Sequence, residues 1–435
     1  MTYWALLRFF IPLVLTQIAL GTGSQFLNGG IARLPQATHT LAVFGLAWGI
    51  TDFLLSPLSQ VRQLGLVLAE DYASLKRLQQ FILLCGAGLM CALVALSASS
   101  VGDWIVGDLH GVDQPMAKQV QLVLWTFIPL PILAGLNRLY SGVLIQYRRT
   151  DIVSLAMGLG MAFQVGAVGI LLRVEWIGAN PIALPIIVVY CSEIVALLVV
   201  YAGYYHYVHG SLPRQSNISL RWGYIAGFFW PLALVMSIQG LSRPLVNLFV
   251  SRQDGGVSAL AVLAVVYVIA HLPYGWLNEL RSVPAAFSAE IGERKIRVFS
   301  IACGLCSFAC MALLFWTPLR NYILLSWVGI DSKLAEQCAW PLIIFSFFPL
   351  AVCIRSYLNG IALVQRRTKA LAPSAPARVG AILIALLVFS WAGWSGATMG
   401  IAALYCGFVV ESLAVWVGVR VWPTFKANRT GCPSI

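Results

Sequence analysis

Charge is what this sequence has least of. Across 435 residues only 10% are Asp, Glu, Lys or Arg, while 60% are hydrophobic, against about 25% charged in an ordinary soluble domain. So little polar material cannot clothe a water-soluble particle of this size, which leaves lipid as the solvent. The Gly-rich Walker pattern that cradles nucleotide phosphates is missing, so the chain by itself is not expected to be driven by nucleotide hydrolysis. The five histidines do not cluster, and Cys303, Cys306 and Cys310, though on one helical face, have no His or acidic co-ligand near them. They read as small packing residues, and neither a metal nor another cofactor is expected. No convergent acid, base and nucleophile set stands out either, which argues against an enzyme.

What is present is a series of long apolar runs. A spanning helix takes roughly 20 mostly apolar residues, and by that measure about twelve spans are expected, at 5–31, 40–66, 79–100, 120–145, 152–173, 182–207, 222–251, 257–282, 298–318, 338–364, 371–392 and 397–421. The first is too long for a cleaved signal peptide. Basic residues gather in the even-numbered connections: Lys76, Arg77, Arg148, Arg149, Arg214, Arg221, Arg294, Lys295, Arg297, Arg366, Arg367 and Lys369. The positive-inside rule then places both termini in the cytoplasm. The net charge of +12 is thus largely a topology signal, and nucleic acid is not an expected partner.

The chain repeats itself. Arg8-Phe-Phe-Ile-Pro-Leu-Val-Leu in the first span resembles Gly227-Phe-Phe-Trp-Pro-Leu-Ala-Leu in the seventh, and the match runs on through Gly21 and Gly240, Asn28 and Asn247, Arg33 and Arg252. Gly142-Val-Leu-Ile-Gln-Tyr-Arg-Arg-Thr resembles Gly360-Ile-Ala-Leu-Val-Gln-Arg-Arg-Thr at nearly the same offset of roughly 220 residues. The expected organisation is therefore an all-α membrane protein of two six-helix lobes, 1–208 and 222–421, with a polar cytoplasmic linker at 209–221 and a short tail at 422–435. Halves with an even number of spans point the same way, so the pseudo-twofold axis lies along the membrane normal, with a central cavity favoured between them.

Ionisable groups inside spans cost about 2.5–3.5 kcal/mol at the helix centre on insertion scales and usually face a cavity or a partner. Arg243 sits before Pro244 in span seven, with Gln239 and Asn247 a turn to either side. In span eight His271, Tyr274, Asn278 and Arg281 follow spacings of three, four and three, with Pro273 and Gly275 able to loosen the helix. Arg138 and Arg355 fall at nearly matching repeat positions, one residue out of step. The acidic counterparts are Asp52, Glu193, Glu279 and Glu411. Simple pairing that holds helices together is the competing account for all of these. Yet arginines outnumber nearby carboxylates, and a guanidinium suits carboxylate or phosphate. Candidate substrate contacts are therefore Arg243, Asn247, His271, Tyr274, Asn278, Arg281, Arg355, Arg138 and Asn28; Glu279, Glu411, Glu193 and Asp52 are candidates for coupling or charge pairing.

The segments Ser242–Arg252 and His271–Arg281 closely resemble the progressive ankylosis protein family. Further similarity lies in Phe44-Gly-Leu-Ala, Gly65-Leu-Val-Leu, Phe345–Pro349 with Arg355, and Gly407–Glu411. That family sits among the multidrug/oligosaccharidyl-lipid/polysaccharide exporters, and the resemblance implies their twelve-helix, two-lobed, MATE-like fold. Its animal members are associated with release of pyrophosphate, ATP and citrate, which implies export of small anions. Arg243, Asn247, His271, Tyr274, Glu279, Arg281, Arg355 and Glu411 match the family's pattern, whereas Asp52 and Arg138 have no clear counterpart in it. Animal members also carry a long acidic tail, and regulation through such a tail is not expected here.

The expectation is a secondary transporter exporting citrate-like, pyrophosphate-like or ATP-like anions by alternating access, with the lipid bilayer and a small anion as partners and no required protein partner. A cation-coupled drug exporter or lipid-precursor flippase of the same fold is the alternative, and a non-transporting membrane regulator the alternative of another class. A bacterial cytoplasmic membrane is the expected location.

Overall fold

A computed structural model describes residues 2–109, 112–214, 220–253, 255–287, 290–328 and 330–421. The expected tail at 422–435 lies outside the described residues, as does the middle of the linker, 215–219. Each of the twelve expected spans falls on helix, and among the described residues there is no strand. In order they are α1 (Thr2–Ile31), α2 (Ala37–Leu68), α3 (Tyr72–Ala98), α4 (Gln114–Thr126 and Leu130–Gln146, bent by 45°), α5 (Thr150–Leu171), α6 (Ala183–Tyr207), α7 (Trp222–Ser251), α8 (Gly256–Gly275, continuing to Phe287), α9 (Glu293–Trp316), α10 (Ser332–Val364), α11 (Thr368–Trp391) and α12 (Gly396–Val421). Ten of these segments are long and apolar enough to cross a bilayer outright, and bent α4 makes an eleventh. The protein is a multi-pass integral membrane protein. Trp391, Trp327 and Trp4 stand 92%, 80% and 71% exposed, as side chains facing lipid or its interface do.

The helices group into two compact units. One is Ile11–Phe229; the other is Trp230 onward together with the first residues through Phe10. Relative to the lobe boundaries read from sequence, short ends of α1 and α7 are exchanged. Phe9 and Phe10 accordingly pack edge-on against Phe287, Trp276 and Phe299 at 5.2–5.7 Å.

Internal geometry repeats from unit to unit. In α2 the helix tightens to 3-10 form over Ser56–Gln60, beside Pro57; in α8 it tightens over Trp276–Arg281, just past Pro273 and Gly275. Proline removes an amide donor and crowds the preceding turn, which is why the α pattern gives way there. Each unit then carries a short π-helical turn, Trp104–Leu109 and Ile323–Val328. The fourth helix of each unit ends in the same cap: Arg148 and Arg366 adopt left-handed φ of 58° and 55°, and the next amides, Arg149 and Arg367, reach back to Leu144 and Ala362 at 2.8 Å. That is the Schellman closure, built on arginine where glycine is usual.

The second and fourth helices of each unit touch backbone to backbone. A Cβ on Gly142 would lie 2.1 Å from the carbonyl oxygen of Arg62, and one on Gly360 would lie 2.7 Å from that of Arg281. Only glycine admits such an approach. Shared turns, caps and crossings bear out the duplication read from the sequence.

Candidate functional site

In the second unit the chemistry centres on Glu411 of α12, which is fully buried. A carboxylate so placed needs donors around it. Arg355 of α10 donates to its Oε2 at 2.9 Å and Arg378 of α11 to the same oxygen at 3.1 Å. Gln239 of α7 donates to Oε1. Phe408, a turn before Glu411, lies under both cations, 3.9 Å from the Arg378 guanidinium and 5.2 Å from that of Arg355, a cation–π arrangement. Arg355 also donates to Asn278 Oδ1 at 2.6 Å, and the Asn278 amide donates to the Gly275 carbonyl at 2.9 Å. Asn278 therefore ties the ion cluster to the tightened turn of α8. Two buried cations share one buried anion, and among the described residues Arg378 Nε has no hydrogen-bond partner.

Beside this cluster stands Arg243, exposed on α7 with its guanidinium 4.8 Å from the Tyr267 ring. Tyr267, His271 and Tyr274 recur at helical spacing along one face of α8. Tyr274 is buried, in edge-on contact with the exposed His271 at 5.3 Å, and within electrostatic reach of Arg243, Arg378 and Arg355. Among the described residues the buried Tyr267 hydroxyl and Asn247 Oδ1 have no hydrogen-bond partner. The stripe expected along 271–281 is not one continuous face: the change of pitch at Trp276 leaves His271 and Tyr274 with Arg243, and carries Asn278 to Arg355. Arg281 is half-buried and Glu279 fully buried on the tightened turn.

In the first unit, Asn137 of α4 donates to Glu193 of α6 at 3.0 Å. Asn137 and Arg355 each stand five residues before the glycine of their helix crossing, and Glu193 and Glu411 stand at the same distance past Thr150 and Thr368. The positional counterpart of Arg355 is thus Asn137, not Arg138, whose counterpart is Ser356. Arg138 lies within electrostatic reach of Glu193, Asp52 and Arg62, and its Nη1 is buried without a hydrogen-bond partner among the described residues. Asp52 is exposed, and Asn28, exposed on α1, joins neither group. A small cavity of about 80 Å³ opens beside Glu193, lined by Asn137, Gly160, Gln164, Ser192 and two methionines.

Sequence reading missed Arg378, Asn137, Gln164 and Tyr267. An arginine inside the eleventh apolar run was a visible signal under the same rule that found Arg355. Asn137 carried no charge to draw notice.

Residues 1–317 match the family model described as Progressive ankylosis protein (ANKH), and the chain belongs to that family. Among solved structures the chain resembles a MATE transporter in the bent conformation, at 14% identity over 96% of this chain and 94% of that one, with a TM-score of 0.73. A mutant of the Vibrio cholerae MATE transporter VcmN matches at 13% identity over 96% of both chains, with a TM-score of 0.69. A MOP superfamily transporter from Pyrococcus furiosus, for which reverse polarity of the binding pocket suggests a different function, matches at 15% identity over 96% and 94%, with a TM-score of 0.68. At these identities the likeness shows the fold, which is that of the MATE transporters.

Proposed function

We propose that this protein is a secondary transporter that exports small organic or phosphorylated anions, of the citrate, pyrophosphate or ATP type, by alternating access. The observation that carries the reading is the sharing of Glu411 between Arg355 and Arg378, with Arg243 exposed nearby on Tyr267. One carboxylate balances one of two buried guanidiniums, so the cluster keeps a cationic surplus that favours an anion. Arg243 is the entry contact, Tyr267 and Asn247 supply buried polar atoms with no hydrogen-bond partner among the described residues, and His271 and Tyr274 orient the cargo. Arg281 is a secondary contact. Glu411 and Glu279 hold the basic groups in place, and Arg138 with Asp52 and Glu193 balances charge in the first unit.

Membership of the ANKH family supports small polyanions as cargo. The Pyrococcus furiosus transporter supports the premise that pocket polarity reverses within this fold. A drug exporter for cations needs an acidic surplus, which the Arg355–Arg378–Glu411 set runs against. The basic connections support a cytoplasmic location for both termini.

The test is efflux of labelled citrate, pyrophosphate and ATP from proteoliposomes, wild type against Arg243→Ala. Arginine-dependent efflux of any one supports the proposal. No efflux of all three from verified folded protein overturns it and moves the weight to another cargo or a regulatory role.

A further inference from the structure

The duplication lets one unit explain a vacancy in the other. Counting from Thr150 and Thr368, three positions correspond: Gly160 with Arg378, Tyr190 with Phe408, and Glu193 with Glu411. In the second unit the Arg378 guanidinium fills the space between the aromatic ring and the carboxylate, 3.9 Å from the first and 3.1 Å from the second. In the first unit the carboxylate is kept and the arginine is a glycine; Gly160 and Glu193 both line the cavity, while the Tyr190 hydroxyl donates to the Thr126 carbonyl at 2.6 Å. With about 80 Å³ of room, it holds a group of a few heavy atoms, since a water molecule's share of liquid volume is about 30 Å³.

The wall of this cavity offers acceptors, and each side-chain donor beside them already gives one hydrogen bond. The Asn137 amide donates to Glu193 at 3.0 Å, the Gln164 amide donates to the Gly23 carbonyl at 2.8 Å, and the Ser192 hydroxyl donates to the Val189 carbonyl at 3.0 Å. The Glu193 carboxylate, Gln164 Oε1 and the Ser192 lone pairs are the acceptors on this wall, beside the second N–H of each of the two amides. Met157 and Met161 complete the wall. Thioether and methylene are poor company for a small, tightly hydrated ion and good company for a flat, weakly hydrated one.

We propose that the Glu193 cavity of the first unit binds a small organic cation of the guanidinium type, which takes the place that the Arg378 side chain fills in the second unit. Its charge lies against Glu193 and its N–H groups donate to Gln164 and Ser192. Two other groups bear on the same carboxylate. Asn137 holds it in place, and Arg138, within its electrostatic reach, opposes a second positive charge and keeps the affinity modest. The site is separate from the arginine cluster proposed for the anion, so it stands or falls by itself.

The experiment is thermal unfolding and calorimetric titration of the purified protein in detergent, with guanidinium chloride in the low millimolar range and sodium chloride as the ionic-strength control. Wild type shows saturable binding and a raised unfolding temperature with guanidinium, and neither with sodium. Glu193→Gln loses the response. Gly160→Arg brings its own guanidinium to the slot and no longer responds to the added cation; a Cβ at Gly160 meets the Ser192 carbonyl oxygen at 3.2 Å, so the backbone there yields by a few tenths of an ångström. Should that variant fail to fold, Glu193→Gln still decides. No saturable response in wild type, an undiminished response in Glu193→Gln, or equal saturation by sodium each overturns the proposal. None of these readouts involves anion efflux, so failure here and failure of the anion reading are distinguishable.

Discussion

Asn137 and Arg355 occupy the same repeat position and donate to the same glutamate of the sixth helix in their units, Asn137 to Glu193 at 3.0 Å and Arg355 to Glu411 at 2.9 Å. One is an amide and the other a cation. The duplicated scaffold has kept the geometry of this contact and changed its charge, and the difference in electrostatics between the two units follows from substitutions such as this one and Gly160 against Arg378.

Removing the shared anion should hurt more than removing one of its cations. Glu411→Gln leaves both Arg355 and Arg378 buried without a counter-charge, and breaking a buried pair in this way costs about 3–5 kcal/mol. Arg378→Met leaves Arg355 on Glu411 and costs less. Thermal unfolding in detergent ranks the two variants, and the reverse order would reject the shared-anion description.

Tyr267 separates binding from folding. Its hydroxyl is buried with no hydrogen-bond partner among the described residues, so Tyr267→Phe removes an unsatisfied group and should leave stability unchanged or raise it by up to about 1 kcal/mol. If the hydroxyl meets cargo beside Arg243, anion efflux falls several-fold in the same variant. Unchanged efflux would remove Tyr267 from the transport path.

The helix crossings give a third test. Gly142→Ala and Gly360→Ala each place a methyl on a carbonyl of the neighbouring helix, and overpacking of this kind costs about 1–3 kcal/mol. Gly29→Ala, where nothing lies within 4 Å, should instead gain by up to about 1 kcal/mol from helix propensity. Equal melting temperatures for the three variants would contradict the backbone contact.

The left-handed caps give a fourth. Arg366→Gly and Arg366→Ala both give up the side chain's contacts, but only glycine relieves a conformation that costs a side-chain-bearing residue roughly 1–2 kcal/mol, so Arg366→Gly should be the more stable of the two. Guanidinium-free thermal melts of the two variants check the ordering.

The spans were legible because hydropathy needs no knowledge of partners: a run of twenty apolar residues is helix in lipid wherever its neighbours lie. The breaks in α2 and α8 were half legible, through Pro57, Pro273 and Gly275, but the pitch they impose was not. A stripe drawn at α spacing through Asn278 and Arg281 ignored the tightening at Trp276. Pairing was the least legible property. That Arg355 and Glu411 needed partners followed from burial in lipid. That Glu411 serves Arg355, Arg378 and Gln239 together depends on how three helices turn toward a fourth, which no single run of sequence encodes. The match of Asn137 to Arg355 was hidden by the more conspicuous arginine beside it.

The sharing of Glu411 also constrains descent. A lineage changing one residue at a time can surrender either arginine and keep an intact pair, but surrendering the glutamate first strands two cations at once. The arrangement has an ordered exit: cation before anion. The first unit, with its glutamate kept and glycine and asparagine where the second has arginines, is the kind of half that such a route leaves behind.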